Sequence, residues 1–114
     1  MSSIVLPTNL QLKAGVKLNE RHRRPAVFAI LLAVAGTPPE TTDGLVWVTS
    51  ANDSKHKRGS KHYTDEAFDI RTRNIKGFTN YLAQAWADRI KVRLGKNYDV
   101  IFEGDHIHVE YDPK

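Results

Sequence analysis

Two short stretches hold the side chains best able to do chemistry. Gly59-Ser-Lys-His-Tyr-Thr-Asp-Glu-Ala-Phe-Asp-Ile-Arg71 carries His62 and Asp69, and Asp105-His-Ile-His-Val109 carries His108. Two imidazoles and one carboxylate are the donors that hold a catalytic zinc ion when its fourth position stays open for water. The chain has no cysteine, so thiolate sites and disulfides are excluded together, and any metal must be held by histidine and carboxylate.

His62 and Asp69 lie seven residues apart, which is not helical spacing; it suits a loop residue followed by a strand residue. His108 would come from a neighbouring strand, so three ligands from two segments converge on one ion. A zinc ion there lowers the pKa of its water and polarises a substrate carbonyl. A nearby carboxylate is then needed to take the proton and pass it to the leaving amine. Asp105 is the first candidate for that base, with Glu103 and His106 behind it. Each piece has a plainer reading: Asp69 paired with Arg71 or Arg73, and His-x-His as an exposed pair on a strand.

The elements that must position these groups can be read in outline. Leu10 and Leu12, then Val16 and Leu18, alternate with polar residues, as a short strand or an extended arm would. Pro25 fits the first turn of a helix through Ala26–Ala35, with Gly36 just past its end. Thr37–Gly44 is turn-rich, and Leu45–Ser50 is a β-branched and aromatic strand. Residues 51–61 are polar and lack an apolar period, as a loop would. Ala67–Thr72 alternates, placing Phe68 and Ile70 on one face and Asp69 and Arg71 on the other. Asn74 is the expected N-cap of a long helix ending near Leu94, with Ile75, Phe78, Leu82, Trp86, Ile90 and Leu94 as its buried stripe and Gly95 beyond. Tyr98–Glu103 and His106–Tyr111 form a β-hairpin in which His106, His108 and Glu110 share one face. The expected class is α+β, a small antiparallel sheet with two main helices, in one domain spanning 1–114.

The bulk numbers fit that scale. A chain of 114 residues, 40% hydrophobic and 26% charged, builds one core. The net charge of +4 favours an anionic partner without naming it. No helix shows a basic face interleaved with base-stacking aromatics, so nucleic acid is not the expected partner. The longest apolar run, Ala26–Ala35, is too short to cross a bilayer, and residues 1–7 lack the form of a secretory signal.

Ser60-x-His62-x-x-Asp65-x-Ala67-x-Asp69 followed by His106-x-His108 resembles the zinc D-alanyl-D-alanine peptidases. That group includes VanX-like dipeptidases and phage L-alanyl-D-glutamate endolysins, and the Hedgehog signalling domain shares its fold. The resemblance covers residues 45–112 and implies a Hedgehog-like fold. It makes His62, Asp69 and His108 ligands of one zinc ion and Asp105 the general base. It gives His106 a supporting or transition-state contact, and Ser60 a part in orienting substrate or ligand. Asp65 stands where the family has Gly. The family's Arg after the Thr-Ser segment is absent, which leaves Arg58, with Lys55 and His56 behind it, to polarise the carbonyl. The implied activity is hydrolysis of a peptidoglycan stem peptide next to a D-amino acid, by a monomer without membrane insertion. The setting would be a phage virion, or a host cytoplasm from which the enzyme is released to the wall. The alternative is a zinc-binding module of a phage particle without turnover.

Overall fold

A computed structural model describes residues 5–51 and 66–113. The elements run β1 (Leu10–Leu12), a 3-10 turn (Arg21–Arg23), α1 (Pro25–Gly36), β2 (Val46–Ser50), β3 (Ala67–Arg71), α2 (Asn80–Leu94), β4 (Tyr98–Phe102) and β5 (His106–Tyr111). The five strands form one sheet in the order β1-β2-β3-β5-β4. It is mixed, which corrects the antiparallel expectation: β1 runs parallel to β2, pairing Leu10 with Val46 and Leu12 with Val48. The physical reason is the connection. A parallel neighbour needs a crossover, and α1 supplies it between β1 and β2.

Every strand's period of two divides the sheet into a wet face and a dry one. Val46, Val48, Phe68, Ile70, Ile107 and Val109 are each at most 1% exposed and share one core with both helices. Burying one such side chain is worth about 1.5–3 kcal/mol. α1 begins with Pro25 in its first turn and buries Val27, Ile30, Leu31, Ala33, Val34 and Ala35. α2 buries Ala83, Trp86, Ala87 and Ile90, a single stripe at helical spacing. Its end is set by Gly95, whose φ of 89° is costly for any side-chain-bearing residue and whose N–H donates to the Lys91 carbonyl.

The start of α2 differs from the sequence expectation. Thr79, not Asn74, is the N-cap, its hydroxyl accepting from the Leu82 N–H at 3.1 Å. Gly77 at φ 62° turns the chain before the helix begins. Ile75 is buried but outside α2, bridged to Thr41, and Phe78 is 39% exposed. Asn74 instead donates to the Asp43 carboxylate and the Leu45 carbonyl, tying the end of β3 to the start of β2. Among the described residues no helix is long and apolar enough to cross a membrane.

His22 joins this core without any forecast of it. It is fully buried, accepts from the Asn19 N–H on Nδ1 and donates from Nε2 to the Ala51 carbonyl at 3.1 Å. Its ring lies against Phe68. The imidazole thereby pins the end of β2's exit to the 3-10 turn.

Candidate functional site

The face of the sheet turned away from the helices carries the polar residues. β3 and β5 pair Asp69 with His108 and Arg71 with His106, so alternation brings all four side chains to that face. Directly opposed residues sit close enough for their side chains to bond. His108 Nδ1 lies 2.9 Å from Asp69 Oδ1, and its Nε2 lies 2.7 Å from Glu110 Oε1. An imidazole with a carboxylate on each nitrogen can donate to both only as the cation. Burial, the largest single influence, works against that charge. The hydrogen bonds and charges of Asp69 and Glu110 outweigh it and lift His108 from 6.5 to about 9.

His106, two residues back on β5, is held by the turn that precedes it. Its Nδ1 donates to Asp105 Oδ1 at 2.6 Å and its Nε2 to Glu103 Oε1 at 3.0 Å, with Asp69 Oδ1 at 3.9 Å from Nε2. Gly104, at φ 95°, lets residues 103–105 bend so tightly that both acids reach one ring. Burial again pulls the His106 pKa down. The hydrogen bond to Asp105, with the charges of Asp69, Asp105 and Glu103, leaves it raised.

An open cleft of about 250 Å³ borders this cluster, with Asp69, Asp105 and His106 in its wall. Arg71 also lines it, its guanidinium stacked 5.0 Å from the centre of the Trp47 ring. Trp47 is itself fixed, donating from Nε1 to Asp43 Oδ2 at 2.8 Å. That bond, then those from Asn74 and Leu45, hold the Asp43 carboxyl at about 2.

Four of the seven expected site residues, Asp69, Asp105, His106 and His108, therefore meet on one face. His62, Ser60 and Arg58 lie outside the described residues, as does Asp65. The role of Glu110 was missed. Alternation had placed it beside His108, but nothing in the sequence says that two residues along a strand an acid will reach the far ring nitrogen. The pairing of Arg71 with Trp47 was missed as well, since it depends on β2 and β3 being neighbours.

Asp69 and His108 are of the donor types that zinc takes, and the third expected ligand, His62, lies outside the described residues. A histidine that ligates a metal usually gives its other ring N–H to a carboxylate, which fixes tautomer and orientation. Glu110 bonds Nε2 of His108, which would leave Nδ1, beside the Asp69 oxygen, for a metal. Asp99, Glu110 and Asp112 also place oxygens within 4.8 Å of one another. That trio offers only oxygen, the preference of hard cations rather than zinc. Comparison with protein-family models and with curated protein sequences finds no match to this chain.

Proposed function

We propose that this chain is a zinc peptidase of the D-alanyl-D-alanine type, hydrolysing a peptidoglycan stem peptide next to a D-amino acid. The observation that carries the reading is the cross-strand pair: Asp69 and His108 face each other at 2.9 Å, with Glu110 bonded to the second ring nitrogen. The α+β class, with helices on one face of the sheet and this cluster on the other, supports the reading at that coarser level.

In this reading Asp69, His108 and His62 hold one zinc ion. Zinc, when bound, supplies a Lewis acid that makes water nucleophilic near neutral pH and polarises a carbonyl. The chain's own groups do the rest. Glu110 fixes the His108 ring. Asp105, on the cleft wall beside Asp69, accepts a proton from the attacking water and returns it to the departing amine. His106, whose two ring N–H groups go to Asp105 and Glu103, brings positive charge to the cleft wall near the negative charge that develops on the carbonyl oxygen. The proposed substrate is the stem peptide of a cell wall, reached from a phage particle or by release from the host.

The same geometry without metal favours a second reading, a His108 cation clamped between two carboxylates as a cross-strand tie in a protein without turnover. Zinc content of the purified chain, with mass spectrometry of purified peptidoglycan digested with and without chelator, separates the two. Chelator-sensitive release of stem-peptide fragments is expected. A folded chain that takes up no zinc would sink the peptidase reading; stoichiometric zinc without cleavage would leave a binding module.

A further inference from the structure

The cleft beside Asp69 and His106 is also lined by cations that the chemistry above does not use. Lys13, which follows β1, Arg71 on β3 and Arg73 just beyond it all line this 250 Å³ space. They reach it because Lys13 is tied to β2 by its backbone, donating its N–H to the Val48 carbonyl, while Arg71 closes β3 opposite His106 and Arg73 follows two residues on. The ion pairs recorded on this face join carboxylates to histidines. Among the described residues, no carboxylate stands in ion-pair contact with any of the three cations. Three like charges around one cleft repel one another, and folding alone does not ask for that arrangement.

Arg71 is also prepared for a ligand. Its guanidinium is stacked on Trp47, and Trp47 is anchored by Asp43, which Asn74 and the Leu45 N–H hold in turn. A planar fork fixed in this way loses little freedom when it binds, and its geometry matches a carboxylate. Asp69 and Asp105, which line the same cleft, already have histidine partners.

We infer that Lys13, Arg71 and Arg73 form a carboxylate-binding subsite that holds a free carboxyl group of the substrate beside the reacting bond. The inference rests on the peptidase reading for what carries the carboxylate, and on the cleft alone for the charge it selects. An enzyme with such a subsite cuts near a free carboxyl terminus or an acidic side chain, rather than anywhere along a neutral peptide.

The test compares N-acetyl-D-alanyl-D-alanine with its C-terminal amide on the full chain as purified. Binding is read within seconds of mixing from the fluorescence of Trp47, since the other tryptophan, Trp86, is fully buried. One charge-assisted contact sets the scale, so the free acid should bind at least about tenfold more tightly than the amide. Arg71→Gln should remove most of that preference, and the exposed Lys13→Gln and Arg73→Gln should each reduce it, with circular dichroism confirming that the variants fold. Equal binding of acid and amide, or a preference that survives in all three variants, would overturn the subsite. Parallel product analysis keeps the two claims apart. A preference for the acid without hydrolysis sinks the peptidase reading and leaves the subsite, whereas hydrolysis without preference does the reverse.

Discussion

The His108 clamp makes the metal-free protein lose stability in mild alkali. In the folded chain His108 is held at about 9, against an ordinary 6.5. Because the folded value is the higher one, the stabilisation is fully present below pH 6.5 and disappears as the pH rises through about 9. The shift corresponds to roughly 3 kcal/mol, and the partial exposure of both carboxylates reduces the usable figure to about 2 kcal/mol. With chelator present, the urea midpoint should therefore fall by about 1 M between pH 6 and pH 9.5. Tryptophan fluorescence follows the transition, because Trp86 is fully buried in the core. Asp69→Asn leaves one carboxylate on the ring and should roughly halve the fall. His106 is also raised and acts in the same direction, with Asp69 among its causes. Glu110→Gln isolates the clamp, because Glu110 is not among the groups that act on His106. A midpoint constant from pH 6 to 9.5, or an Asp69→Asn protein with the full wild-type fall, would refute the reasoning.

Three further outcomes follow from individual contacts. Asp105→Ala should retain zinc, because Asp105 bonds His106 rather than the Asp69–His108 pair, and should abolish peptide hydrolysis; loss of zinc from a folded variant, by metal analysis, would make Asp105 a ligand instead. Thr79→Ala should cost about 1 kcal/mol in urea unfolding through loss of the cap on Leu82, and a variant as stable as wild type would show that the hydroxyl does no capping. Trp86→Ala empties the centre of the core, where the ring is fully buried, and should cost about 3–5 kcal/mol by the same measurement; a loss below 1 kcal/mol would mean that the core closes over the gap.

Much of the fold was legible because local rules and tertiary packing agree. In β5, Ile107 and Val109 had to face one way and His106, His108 and Glu110 the other, and any sheet that buries the first pair exposes the second set. Gly95 and Gly104 mark turns that need positive φ, and both serve there. The helical phase from Ile75 to Leu94 misled at its start. Ile75 and Phe78 keep the period, but Gly77 breaks the backbone, and the Thr41 bridge buries Ile75 by another route. His22 was hidden among arginines, since its burial depends on Asn19, Ala51 and Phe68 converging from three places in the chain.

Taken alone, the amino-acid order determined which residues could share a strand face and which types could bind a cation. Both follow from backbone period and side-chain chemistry, which need no partner. Only the tertiary structure decided that β3 lies against β5 in the register that sets Asp69 opposite His108. It also decided that β1 runs parallel to β2, bringing Lys13 to the cleft that Arg71 lines. Strand order is chosen by the burial of one shared apolar core, a sum over the whole chain, and the polar neighbours on the far face inherit their distances from that choice.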